Sequence, residues 1–575
     1  MFIACNILAI IGFYVFYTYI MKESPAFFGL SFISFSTVII YFFGCFEALN
    51  IGCVFVILLG VVLLVLTVLR GIRAKICVDK RIALDPAVFF LLLGGVWSWF
   101  LSRDIFPAHY DDLSHWLRIC KIMHADGSYP YTLDCFFPYY LPGTATWIYY
   151  ATRSTGYSPQ NCYFAQMLIN VACCSCFFGI LRNESDKIKK TVLFCIIGIV
   201  SVYLCAMNVT TFALVVDGTL GLVAAALVIM IMTHKNEGNM TIRYLVIMSI
   251  AVFTVLIKNS GIILVLFAAI AMLFCEDRSE TTAKKMIAKW GQVTALVIIP
   301  WLCTSIYTIR AKKIYGAIWN QGTLDAYLSI FDNGDVQRYI GVIEKFLEEV
   351  FIIHNARAQI KLIWISFLVI GALLVRNKIK KVADSEMRFL GWYLPLMSFI
   401  WGMGVLVTFF TLDVRSANRT ILLSFERYMG TITIFVVGLV MYKLIGMVTG
   451  LTDLKLFGKR AGITVLILAM ICQILGVDAA YIFGNVLYKD KMLSSEAWEK
   501  LIACSEERWD YNTDGYVIVT NVEEKDFQNY YNLHQLITTY FRSFNCTACD
   551  VKDLEQAGIT EDELQIDYPN LIRFY

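Results

Sequence analysis

Apolar runs of 16 to 24 residues recur along most of this 575-residue chain, separated by short polar connections. A helix rises about 1.5 Å per residue, so runs of this length can cross a hydrocarbon layer of roughly 30 Å. Inside that layer every backbone amide needs an intramolecular partner, and a helix supplies one within the run itself. Composition agrees. Hydrophobic residues make up 58% of the chain and charged residues 16%, whereas a soluble protein carries about a quarter charged. Several soluble domains, a disordered chain, a collagen-like repeat and a small disulfide scaffold are all excluded. The predicted fold class is an all-α polytopic membrane protein.

Spans are predicted near 3–20, 26–46, 50–69, 86–102, 160–181, 191–207, 213–233, 244–257, 261–275, 291–309, 359–375, 389–411, 428–447 and 461–485, about 14 in all. The first run has no basic stretch before it and further spans follow at once, so it reads as a span and not a cleaved leader. The stretch 138–153 is short, begins with Pro138 and Pro142, and ends at Arg153. It is predicted to lie along the outer membrane surface without crossing.

Loop charge sets the sidedness. Short basic loops face the cytoplasm, and the strongest are Arg70 to Arg81, Arg182 to Lys190, Arg278 to Lys289, Arg376 to Lys381 and Lys455 to Arg460. Each is separated from the next by an even number of spans, which places both termini outside. From residue 486 onward 8 Lys and Arg stand against 17 Asp and Glu, so this tail reads as a soluble extracytoplasmic domain. Its predicted elements are strands at 515–520 and 571–575 and a helix over 527–543, a small α/β unit. The chain thus divides into leading helices (1–85), a core (86–485) with outer loops 103–159 and 310–358, and the tail (486–575). No basic patch with interleaved aromatics lies outside the loops, so nucleic acid is not an expected partner. Most of the 18 cysteines lie inside apolar runs and read as packing residues. Cys546 and Cys549 carry no assigned role.

Few ionisable residues sit at the outer ends of spans. The first outer loop holds His109, Tyr110, Asp111, Asp112 and His115. Adjacent carboxylates beside histidines can act as a general base or as metal ligands. The plain alternative is a surface helix from Asp111 to Met123, with Asp111 capping its first turn. Phe136, Phe137, Tyr139 and Tyr140 follow; they suit anchoring in headgroups, a lipid-tail groove or a sugar face equally. Asp217, Lys258 and Arg427, the last followed by Tyr428, border three further spans. Charges next to hydrocarbon are costly and mark functional candidates, with snorkelling to the interface as the competing explanation. All three fall on the side that carries Asp111, where two cations would suit a phosphate-bearing lipid.

The order Tyr110-Asp111-Asp112, Tyr139-Tyr140-Leu141-Pro142-Gly143-Thr144, Val216-Asp217, Ile257-Lys258-Asn259-Ser260-Gly261 and Phe425-Glu426-Arg427-Tyr428 resembles the GT-C superfamily of membrane glycosyltransferases, over residues 86–450. The resemblance implies a GT-C-like core that transfers a sugar from a polyprenyl-phosphate-linked donor, with inversion, on the extracytoplasmic side. It places the catalytic base on Asp111, with Asp112 adjacent, and lipid-phosphate contacts on Lys258 and Arg427. His115, Tyr139, Tyr140, Asp217 and Tyr428 complete the expected substrate contacts. A divalent metal ion could share the charge-stabilising role, and the sequence leaves that open. The expected partners are the lipid-linked sugar donor, a glycan or lipid acceptor and membrane lipids, in a bacterial plasma membrane. Two departures stand out. A Trp-Trp-Asp signature is reduced to Trp509-Asp510, and a Lys-Pro-Pro stretch is replaced by Leu141-Pro142. The first sets the chain apart from oligosaccharyltransferases. A non-enzymatic alternative is a transporter or flippase of a lipid-linked saccharide. Charges at span ends, and no evident internal repeat, favour the enzyme.

Overall fold

In a computed structural model of the chain, the residues described are 2–74, 85–103, 111–130, 137, 139–184, 186–207, 213–233, 240–275, 283–315, 336–352, 358–411, 415–416, 419–420, 422, 424–449, 456–463, 466, 516–520, 546–550 and 570–574. The chain begins with α1 (Phe2–Val15), α2 (Phe28–Cys45), α3 (Leu49–Ala74) and α4 (Pro86–Ser102). A π-helical turn at Asp112–Trp116 leads into α5 (Leu117–Asp126), then α6 (Gly143–Thr152), α7 (Pro159–Ser175) and α8 (Lys187–Ala206). Next come α9 (Asp217–Thr233), α10 (Met240–Ile257), α11 (Gly261–Cys275) and α12 (Ala283–Tyr315). The last helices are α13 (Val336–Phe351), α14 (Ala358–Ile379), α15 (Ser385–Thr411) and α16 (Phe425–Gly446).

Among the described residues, nine helical stretches are long and apolar enough to cross a membrane, and α4, α9, α10 and α11 are shorter apolar helices. The predicted spans from 3–20 to 428–447 are thus helical over most of their length. The predicted span 461–485 lies almost wholly outside the described residues. Leu58, Val62 and Leu66 on α3 and Leu92, Val96 and Trp99 on α4 are each more than half exposed. Contiguous apolar faces of this kind belong against lipid, and the chain has the make-up of a multi-pass membrane protein.

The centre is α9, apolar all round and buried from Asp217 to Met232, which requires neighbours on every side. They are α7, α10, α11 and α16. Contact with α16 is closest at Gly221, where a Cβ would lie 2.4 Å from the Thr431 carbonyl oxygen. Gly221→Ala is therefore expected to push α9 and α16 apart and cost about 1–3 kcal/mol, read as a lower melting temperature.

Two sequence expectations change. Helix α6 does not lie on an exposed surface: α2, α5, α7 and α10 enclose it, and nine of its ten residues are buried. Trp147, Ile148, Tyr149 and Tyr150 leave it no polar face to turn toward headgroups or water, and its first residue, Gly143, is pressed against the Leu256 backbone. At ten residues it is too short to cross. The predicted span at 213 begins as helix only at Asp217; Ala213 to Val216 are buried and non-helical.

Charged residues gather at the two ends of the bundle. Helix α16 runs from Arg427 to Lys443, about 24 Å of rise. Lys443 pairs with Asp384 and Glu386, each at 3.0 Å. At the start of α10, Arg243 pairs with Glu23 at 3.4 Å; α10 then leads to Lys258 at the opposite end. The short strands β1 (Arg415–Ser416) and β2 (Arg419–Thr420) pair antiparallel, and β2 lies against α13. Strands β3 (Tyr516–Thr520), β4 (Cys546–Asp550) and β5 (Asn570–Phe574) form a parallel sheet in the order β4-β3-β5. The predicted helix 527–543, His109 and Trp509-Asp510 lie outside the described residues.

Candidate active site

Asp217 is the first residue of α9, where the helix dipole favours a carboxylate. Its Oδ1 accepts from Lys258 Nζ at 2.6 Å, and its Oδ2 lies 3.2 Å from Arg427 Nε. The second contact is an ion pair without hydrogen-bond alignment. Lys258 follows the end of α10 directly, and Arg427 lies in the first turn of α16. The start of α16 is set by Ser424, whose φ of 59° is left-handed, and by Thr431, whose hydroxyl donates to the Asp217 carbonyl at 2.9 Å. Arg427 Nη1 also donates to Asp111 Oδ2.

The Tyr428 ring lies beneath both cations, 5.0 Å from Lys258 Nζ and 5.3 Å from the Arg427 guanidinium carbon. These distances suit cation–π attraction. Its own position is held by Phe409, 6.0 Å away centroid to centroid, and by Trp401, whose indole donates to the Tyr428 carbonyl at 2.9 Å. Five expected site residues, Asp111, Asp217, Lys258, Arg427 and Tyr428, thus form one cluster at one end of the bundle. The carboxylate of Asp217 is nearly buried, whereas Asp111 and Arg427 keep about a fifth to a quarter of their side chains open.

Asp111 and Asp112 part company. Asp111 has helical backbone angles and caps nothing; its side chain goes to Arg427 instead. Asp112 is fully buried and accepts from Tyr163 Oη and from the Leu214 amide, each at 2.8 Å. It fastens the π-turn to α7 and to the segment before α9, away from the open face of the cluster. Burial pushes its carboxyl up to about 8, the Asp111 charge adding to this while the two hydrogen bonds oppose it. The folded state therefore holds this proton more tightly than the unfolded chain, whose value lies near 3.8. The resulting stability is complete below pH ~4 and is lost as pH rises through about 8. Melting temperature is expected to fall across that window, and Asp112→Asn to flatten that part of the curve.

An aromatic wall borders the cluster. Phe137 and Tyr140 stack at 4.8 Å and 8°, and the His115 ring stands edge-on to both at 5.2 Å. His115 is buried, with Nδ1 2.8 Å from the Ser114 hydroxyl. It supports the wall more than it faces the opening. The Tyr140 hydroxyl is raised, chiefly by burial, with Tyr428 and Asp111 contributing. Tyr139 lies at the rim and packs toward Tyr315 at 6.5 Å. Tyr163, Leu214 and Thr431 are supports that the sequence reading missed. Thr431 had one signal, being a polar residue one helical turn beyond Arg427.

A divalent ion does not fit this centre. Among the described residues no three His, Cys, Asp or Glu side chains converge as ligands. Its two carboxylates, Asp111 and Asp217, share the Arg427 guanidinium through Nη1 and Nε. What remains is a charge-paired cluster, partly open, beside an aromatic face. No protein-family model and no curated protein matches this chain.

Proposed function

We propose that this chain is a GT-C-type membrane glycosyltransferase. It moves a sugar from a polyprenyl-phosphate-linked donor to a cell-envelope glycan or lipid acceptor, on the extracytoplasmic side of a bacterial plasma membrane. The observation that supports this reading is the meeting of Asp111, Lys258 and Arg427, drawn from three distant segments, at one end of the bundle beside Phe137 and Tyr140. In this reading about 14 helices cross the membrane, and the parallel sheet belongs to an extracytoplasmic α/β domain, 486–575.

The donor phosphate takes hydrogen bonds from Lys258 and Arg427 in place of part of their present pairing. Its uptake of Arg427 releases the Asp111 carboxylate. The acceptor hydroxyl oxygen then attacks the anomeric carbon from the face opposite the phosphate. The bond from that carbon to the phosphate oxygen breaks, its electron pair staying with the phosphate. The acceptor proton passes to Asp111. The two cations stabilise the second negative charge that the phosphate gains. Products are the inverted glycoside and the polyprenyl phosphate.

The test supplies purified protein with labelled polyprenyl-phosphate sugars and measures lipid-phosphate release. Lys258→Met is expected to lower kcat/KM by about 10²-fold. Lipid movement between leaflets without any sugar transfer would instead identify a transporter.

A further inference from the structure

Two carboxylates beside a phosphate site are a common donor set for a divalent ion. Here one is Asp111, from the loop after α4, and the other Asp217, opening α9. A guanidinium stands between them. Arg427 Nη1 donates to Asp111 Oδ2, while Nε lies 3.2 Å from Asp217 Oδ2. The remaining Asp217 oxygen accepts from Lys258 at 2.6 Å. Within this cluster of described residues two cationic side chains balance two carboxylates, so no excess negative charge is left to hold a divalent ion. An ion placed at the bridge would also lie against both Arg427 and Lys258, and like charges at that range repel strongly in a partly buried site.

We propose that this centre works without a resident divalent metal ion, Arg427 standing in the ion's place. The proposal rests on the reading of the cluster as a phosphate site. The guanidinium does what a metal would do there: it pairs with both carboxylates until the phosphate arrives, and it then offers fixed positive charge to the phosphate. Unlike a metal, it is built into α16 and is present whatever the ionic composition outside. One consequence is specific to this arrangement. Removing the guanidinium takes from Asp111 and Asp217 the cation they share and leaves the cluster one charge more negative, so Arg427→Gln is expected to open it to a divalent ion.

The test uses the full-length protein in detergent and manganese(II) as the probe, followed by the loss of its free-ion electron paramagnetic resonance signal and by thermal melting. Wild type is expected to bind no more Mn²⁺ than Asp111→Asn does, and to melt at one temperature with EDTA or with Mn²⁺. Arg427→Gln is expected to gain one saturable Mn²⁺ site and a melting temperature that rises with Mn²⁺. Arg427→Gln combined with Asp217→Asn is expected to lose both gains. A saturable site in wild type that Asp111→Asn removes would overturn the proposal. So would an Arg427→Gln protein that melts as a folded chain and gains no site. If that variant does not fold, the comparison of wild type with Asp111→Asn decides alone. None of these readouts depends on sugar transfer. A failed transferase assay therefore counts against the proposed activity and leaves the metal question to its own measurement.

Discussion

Asp111→Asn is expected to lower sugar transfer by about 10³-fold, within the range that a positioned general base contributes. The change is nearly isosteric, and the amide oxygen can still accept from Arg427. What disappears is the capacity to take the acceptor's proton. The fold should survive, because the amide keeps an acceptor for Arg427 and the pair is partly open to solvent. Arg427 also keeps its contact with Asp217. The measurement is the rate of polyprenyl-phosphate release beside a melting curve of the same preparation. Undiminished turnover would remove Asp111 from the catalytic role and with it the mechanism above.

Asp112→Ala should behave in the opposite way, failing first in stability. It strips the acceptor from both the Tyr163 hydroxyl and the Leu214 amide, which meet Asp112 in the buried interior. A buried donor left without a partner costs about 1–3 kcal/mol, so the pair together should cost about 2–6 kcal/mol. The π-turn then loses its attachment to α7 and to the segment before α9. Asp112→Asn supplies the control. Its amide oxygen can accept from Leu214 while the tyrosine hydroxyl turns to accept from the amide nitrogen. Most of the stability and most of the transfer rate should return. An Asp112→Asn protein that is stable but as inactive as Asp111→Asn would place Asp112 in the chemistry and overturn its structural assignment.

The division of labour between these adjacent aspartates could not be read from the sequence. It depends on partners far along the chain, Tyr163 and Leu214 for one and Arg427 for the other, and on which way a single turn points each side chain. The apolar helices were legible because the hydrocarbon layer imposes a length and a composition on each segment. Lys258 and Arg427 stood out because a charge beside hydrocarbon is costly, and the structure pairs both with Asp217. Helix α6 was not legible, since an apolar helix of ten residues looks the same whether lipid or protein surrounds it. The start of α9 was hidden as well. Ala213 to Val216 are as apolar as the helix that follows, and they leave it because the Leu214 amide is bound to Asp112.

The separations within the cluster also bear on how the protein is made. Asp217 and Lys258 are 41 residues apart, whereas Asp111 and Arg427 are 316 apart. During synthesis the first pair can form as soon as α10 follows α9 into the bilayer, each side chain neutralising the other. Asp111 has no such early companion in Arg427. Its partner is translated only after α15, so the centre closes when α16 inserts beside α9. A nascent chain halted before residue 425 would hold the Asp217–Lys258 half of the centre without the Asp111–Arg427 half. Closure of the ion cluster is therefore a late marker of correct insertion, reached only when the turn that carries Asp111 and the start of α16 have come to the same end of the bundle.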